Sequence, residues 1–372
     1  MFKFKSIKEA GDLKGKRVIL RLDLNVPISN GKILDDYRIL KALPTMTFLK
    51  EAGAKTIIIS HLESEETKSL EIVGKEISKH FKTVFVADFK DVPEEISKMN
   101  EGDFILLENL RLDEGEKKND PKFAQKLASF GDIYVNEAFP VSHRPHASVV
   151  GVPKLLPSFA GFQFEEEVKN LSLAFNPPKP FLFVLGGAKF ETKMPLIKRF
   201  LDLADYIFVG GALANDLFKA KGYEIGLSKI SEEEMDFSEI LKSPKIFLPE
   251  DVQVQKNDQA SFKKPENVSK DEKILDAGPV ALSELQNLIS KSSFILWNGP
   301  LGRYEEGFTE PTERLAKMIA ESKAKSIVGG GDTIAATEKL NIMDKFTFVS
   351  TGGGAMLDFL AEGTLPGIKA LE

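Results

Sequence analysis

Short runs of consecutive apolar residues recur along the chain and alternate with longer segments whose apolar residues return every three or four positions. The runs 17–22 (RVILRL), 56–60 (TIIIS), 83–86 (TVFV), 103–107 (DFILL) and 132–135 (DIYV) read as strands. Stretches such as 37–52, 67–80 and 119–130 follow them at helical spacing. Asn119-Asp120-Pro121 marks a helix start, a capping side chain with proline in the first turn. Strands this uniformly apolar predict a parallel sheet covered by helices on both faces. The alternation breaks at 152–162 (VPKLLPSFAGF), passes through an acidic helical stretch at 163–175, and meets Asn176-Pro177-Pro178-Lys179-Pro180. Stiff punctuation on both sides of one helix predicts a hinge over 161–178. Strand-like runs resume at 181–185, 205–209, 245–248, 293–297, 325–328 and 346–350. The predicted fold class is α/β: two Rossmann-like lobes, 1–160 and 179–362, each a parallel sheet with helices on both faces, joined by the hinge helix.

Length agrees with two lobes, since a single core stops growing at roughly 250–300 residues and the chain has 372. Cysteine is absent, which excludes disulfides, thiol nucleophiles and Cys-ligated zinc. With a formal net charge of −6, nucleic-acid binding by bulk charge is not expected. No window approaches the roughly 18 apolar residues of a membrane span, and the start, MFKFKSIKEA, lacks the apolar core of a secretory signal. A cytoplasmic setting without membrane or nucleic-acid partners is therefore expected, and, since nothing in the sequence demands an oligomer, a monomer.

Five strand ends of the second lobe run into glycine: Gly186-Gly187, Gly210-Gly211, Asn298-Gly299-Pro300-Leu301-Gly302, Gly329-Gly330-Gly331-Asp332-Thr333 and Gly352-Gly353-Gly354. They hold twelve of the chain's 28 glycines. In an open α/β sheet, ligands bind beyond the carboxyl ends of the strands. Glycine there admits phosphate close to the backbone, and a following helix start offers free N–H groups. Lys189 and Lys193 flank the first turn. Asp332 stands either to cap the helix after the fourth turn or to hold Mg²⁺ against nucleotide phosphates. No Walker, protein-kinase or G-x-G-x-x-G motif is present.

Only eight of the 50 basic residues are arginine, and there are four histidines. Arg21, Arg38, Arg111 and Arg144, with His61, His143 and His146, fall at or just past strand ends of the first lobe, so they should converge on one sheet edge. Arginine in a lysine-rich chain points to a need for its planar fork, which grips phosphate or carboxylate bidentately. Asp23 and Asn25 would orient the arginines or bind substrate hydroxyls; His80, in a helical stretch, reads as surface. A polyanion lobe and a nucleotide lobe with a hinge between them have the layout of a small-molecule kinase that closes to exclude water.

The stretches RLDLNVP (21–27), DDYRILKALPT (35–45), SHL (60–62), LLENLR (106–111), YVNEAF (134–139), HRPHAS (143–148), GGAKFETK (186–193), WNGPLG (297–302), GGGDT (329–333) and STGGGAMLDFL (350–360) resemble, in order and spacing, the phosphoglycerate kinase family over essentially the whole chain. The resemblance implies phosphoryl transfer between 1,3-bisphosphoglycerate and ADP, giving 3-phosphoglycerate and MgATP. It implies that Arg21, Asp23, Asn25, Arg38, His61, Arg111, Arg144 and His146 hold the phosphoglycerate, and that Arg38 and Lys189 stabilise the transferring group. Lys193 would hold nucleotide phosphates, Asp332 the metal and Glu305 the ribose, while Gly330, Gly353 and Gly354 would offer N–H groups to the transition state. The segment 363–372 would fold back on the first lobe.

The chain departs from the family in places. SHL is followed by Glu63-Ser64-Glu65 where the family has Gly-Arg-Pro, so one cation is lost and acidic charge added. Glu137 and Pro140 stand where the family favours Asp and Gly, and Ala277 replaces an isoleucine. The first departure predicts weaker binding of 3-phosphoglycerate and a weaker response to anions. A binding module that has lost turnover, and a kinase for another acyl phosphate, are the competing readings.

Overall fold

The computed structural model describes residues 3–188, 190, 193–232, 235–257 and 259–372. The chain forms two compact units: Met1–Lys169 with Glu362–Glu372, and Asn170–Ala361.

The first unit is built on a six-stranded, all-parallel sheet in the order Thr83–Val86, Phe104–Leu107, Lys55–Ile59, Arg17–Arg21, Ile133–Asn136, Ser158–Ala160. Its central strands are buried on both faces: Val18, Ile19 and Leu20 are at most 1% exposed. That burial explains why they read as unbroken apolar runs. The helix signalled by Asn119-Asp120-Pro121 spans Pro121–Ala128 with proline in its first turn, and its capping side chain is Asp120, which accepts from the Phe123 N–H at 2.9 Å. Asn119 instead closes the preceding short helix in the left-handed conformation, φ +51°.

The helix predicted at 163–175 runs Phe162–Ser172, followed by a 3₁₀ turn Leu173–Phe175. Its first N–H groups have dedicated acceptors. Glu137, buried, accepts from the N–H groups of Gln163 and Phe164, each at 3.2 Å, and Thr45 Oγ1 accepts from Phe162 N–H at 3.0 Å. At the other end of the chain, Pro366–Lys369 is a short helix whose Gly367 N–H donates to the Ser142 carbonyl at 2.8 Å. Leu365 and Ile368 beside it are buried.

The second unit repeats the plan: six parallel strands in the order Ile246–Phe247, Tyr206–Val209, Phe181–Leu185, Phe294–Asn298, Lys325–Gly329, Phe348–Ser350. It also carries an antiparallel sheet absent from the sequence reading, in the order Gln259–Lys263, Val252–Lys256, Lys273–Ala277. Among the described residues, no helix is long and apolar enough to cross a membrane.

Candidate active site

Register decides what meets at the carboxyl edge of the first sheet. Arg21 pairs with Ile59 and with Asn136, so the residues that follow each strand leave at the same level. Arg38, in the first turn of the helix Tyr37–Glu51, places Nη1 2.5 Å from Asp23 Oδ2. Asp23 thus orients an arginine. Asn25 accepts the Glu63 N–H at 2.7 Å, and Asn109 clasps the same loop by accepting from Leu62 N–H and donating to the Leu62 and Lys68 carbonyls.

Arg21 differs from expectation. It is fully buried, and lies beneath the patch rather than on its surface. Its Nε donates to Ser148 Oγ at 2.9 Å, Nη1 to the Leu22 carbonyl, and Nη2 reaches His61 Nδ1 at 3.3 Å. Ser148 Oγ in turn donates to Glu116, itself wholly buried, at 2.6 Å. Because arginine can only donate, His61 Nδ1 is the acceptor and the ring proton sits on Nε2. Arg21 therefore sets the tautomer of His61, and unlike Arg111 each of its three guanidinium nitrogens already has a partner within the protein.

Burial, then the charges of Arg21, Arg111, Arg144 and Arg38, hold the His61 imidazole well below its ordinary pKa. His146 is pushed down to about 4, by burial first and then by Arg111 and Arg144. Both rings are neutral at pH 7, so the arginines carry the patch's charge. Arg111 has a side chain only 6% exposed; its Nη1 donates to Glu63, while its Nε and Nη2 are buried with no hydrogen-bond partner. Arg144 lies with Nε 3.3 Å from His143 Nε2 and Nη1 4.0 Å from Glu63 Oε2. Ser64 adds no cation; its Oγ accepts from Glu66 N–H at 3.2 Å.

In the second unit the same logic gathers the glycine turns. Asn298 pairs with both Leu185 and Gly329, so Gly186, Gly299 and Gly330 follow at one level. Side chains there are excluded by backbone contact: a Cβ on Gly211 (φ +64°) would lie 2.7 Å from Gly187 N. Gly330, at φ +103°, occupies the position before the helix Gly331–Lys339, and Asp332 falls in that helix's first turn, not at its cap. Gly353 is at φ +51° and Gly354 begins the helix Gly354–Glu362. Four of the five turns border a cleft of about 290 Å³, with Gly187, Gly211, Pro300, Glu305 and Asp332 on its walls. Opposite lies an apolar wall, Phe218, Val252 and Ile274, partly built by the antiparallel sheet.

Lys193 is nearly buried, its Nζ donating to the Gly186 carbonyl at 2.6 Å and to Asn298 Oδ1 at 3.2 Å. Burial lowers its pKa to about 8, against the pull of Asp332. Burial and the nearby Glu305 raise the Asp332 carboxyl, while Lys193 opposes. Thr333 is buried and accepts from Gly299 N–H at 3.0 Å, so it braces a turn and faces no solvent. Gly210 and Gly329 are likewise buried, beneath Leu301 and Met356. Lys189 lies outside the described residues. Asp276 went unremarked in the sequence: it lines the cleft, and burial raises its carboxyl to about 8.

A family model described as phosphoglycerate kinase matches residues 7–363. The phosphoglycerate kinase of Dictyoglomus turgidum is 41% identical over 382 residues, covering 97% of this chain and 96% of that protein. That of Thermosipho africanus is 42% identical over 385 residues, with the same shares. Among solved structures, phosphoglycerate kinase from Coxiella burnetii aligns with a TM-score of 0.86 at 39% identity, covering 99% of each chain. The enzyme from Pyrococcus horikoshii OT3 also gives 0.86, at 30% identity over 99% of this chain and 98% of that one. With arginines and neutral imidazoles on one sheet edge and glycine turns around a cleft on the other, this chain belongs to the phosphoglycerate kinase family.

Proposed function

We propose that the arginine patch of the first unit holds 3-phosphoglycerate or 1,3-bisphosphoglycerate, and that the glycine-walled cleft of the second holds ADP or ATP. The chain is a phosphotransferase of its family, passing a phosphoryl group between 1,3-bisphosphoglycerate and ADP. The observation that carries the site assignment is Arg111, whose two buried, unpartnered N–H groups need an anionic acceptor.

In the ATP-consuming direction the nucleophile is the substrate's own carboxylate, ionised far below pH 7. No general base is required. The residues supply position and charge. Arg38, aimed by Asp23, and Lys189 balance charge on the transferring group. His61 offers Nε2–H, and Lys193 faces the nucleotide phosphates. The Gly330, Gly353 and Gly354 backbones serve the same end, and Glu305 is assigned to the ribose. Asp332 suits Mg²⁺: it is a half-buried carboxyl that burial and Glu305 leave short of positive partners. Such an ion would be held mainly by phosphate oxygens and water, with Asp332 its one protein ligand. When bound, Mg²⁺ neutralises phosphate charge.

A coupled assay with ATP, Mg²⁺ and 3-phosphoglycerate tests the activity. Arg38→Ala and Lys189→Ala should each lower kcat by orders of magnitude with the fold intact; near-full activity in either refutes its role. Closure about 161–178 when both ligands bind is part of the proposal, as are a monomeric state and a cytoplasmic setting. A radius of gyration unchanged by saturating ligands in small-angle scattering would count against closure.

A further inference from the structure

Glu63 is out of keeping with its surroundings. Its carboxylate takes one arm of the Arg111 guanidinium, and it stands 3.9 Å from Lys117 Nζ and 4.0 Å from Arg144 Nη1. The remaining arms of Arg111 are buried and unanswered. The backbone beneath is pinned, with Glu63 N–H on Asn25 and Leu62 on Asn109, so the carboxylate is delivered to this spot and has not drifted there from a loose loop. The side chain itself is 47% exposed and has room to swing out.

We propose that Glu63 is a resident anion of the substrate patch, seated on Arg111 in the empty site and displaced by the substrate's phosphate, so that it sets both the affinity of the patch and its preference for doubly over singly charged anions. This rests on reading the patch as the phosphoglycerate site. Exchanging one carboxylate for a singly charged anion leaves the charge balance at Arg111, Arg144 and Lys117 unchanged, so there is little gain. A doubly charged phosphate replaces one negative charge with two and adds acceptors for the unanswered N–H groups. The patch is thereby protected from chloride while remaining open to a phosphate ester.

The test is Glu63→Gln, which keeps size and hydrogen-bonding reach but removes the charge. Affinity for 3-phosphoglycerate, measured by calorimetry without nucleotide, should tighten roughly fivefold, the scale of one partly exposed ion pair. Competition by chloride should strengthen more than competition by sulfate, so the sulfate-to-chloride ratio falls. Arg111→Ala is measured alongside. If Arg111→Ala weakens binding but Glu63→Gln leaves affinity and ratio unchanged, the resident-anion proposal is overturned and the site assignment stands. If Arg111→Ala has no effect either, the site assignment itself fails. A melting curve superimposable on that of the parent confirms that Glu63→Gln reports on binding.

Discussion

Replacing Arg21 by methionine tests whether it supports the patch from below. The guanidinium is fully buried and linked through Ser148 to the equally buried Glu116. Methionine fills much of the same volume but takes one positive charge away from the Glu116 carboxylate, which keeps its hydrogen bonds from Ser148 N–H and Oγ. Removing one partner of a direct buried pair costs about 3–5 kcal/mol, and this pair, bridged by Ser148, falls at the lower end of that range. For a domain of roughly 150–250 residues each kcal/mol is worth about 2–4 °C, so melting of the first unit should fall by about 10 °C. Adding Glu116→Gln removes that carboxylate's charge, and the double variant should recover most of the loss. Function changes in a separate way. Without the Arg21 donor, His61 is free to take either tautomer, so 3-phosphoglycerate binds more weakly while ATP affinity in the second unit is unaffected. Differential scanning calorimetry of the three variants and calorimetric titration with each ligand read both effects. A single variant melting within 2 °C of the parent, or a double variant no more stable than the single, would refute the reasoning.

Lys193, with its pKa lowered to about 8 by burial, is partly deprotonated above that pH. Nucleotide phosphates should raise it, so binding takes up protons near pH 8 and affinity declines from pH 7 to 9; titrations in buffers of different ionisation enthalpy measure the uptake, and Lys193→Met should abolish it. Glu137 is raised from 4.5 to about 7 by burial, with hydrogen bonds from Thr45, Gln163 and Phe164 opposing. Because its folded pKa lies above the unfolded one, its contribution is fully present below about pH 4.5 and lost as pH rises through 7. Glu137→Gln should therefore gain stability relative to the parent across that window, by at most about 3 kcal/mol in urea melts. Gly211→Ala forces a Cβ against Gly187 N from a positive φ; ADP affinity should fall at least tenfold, about 1.4 kcal/mol, by calorimetry.

Much of the scaffold is legible because parallel strands buried on both faces leave continuous apolar runs, as in 17–22 and 181–185. The antiparallel sheet is not, because Val252 and Val254 alternate with glutamines. That period-two pattern marks a half-buried strand and escapes a search for unbroken runs. The candidate site follows the same division. The convergence of Arg38, His61, Arg111 and Arg144 could be read from strand ends alone. The burial of Arg21 could not, since its partner Ser148 is 127 positions away in sequence. Composition near Glu63 shows added acidity, but only the geometry of the loop shows that the carboxylate lands on Arg111. Likewise Thr333, read as a ligand residue, is turned inward by the hydrogen bond it accepts from Gly299.

The division of the chain has a consequence for synthesis. The second unit is one continuous stretch, Asn170–Ala361, whereas the first needs Glu362–Glu372 to cover Val141 and Val150. A ribosome delivers that closing segment after the whole of the second unit. The second unit can thus finish folding while the first still exposes an apolar seam, which closes only once residues 362–372 have emerged.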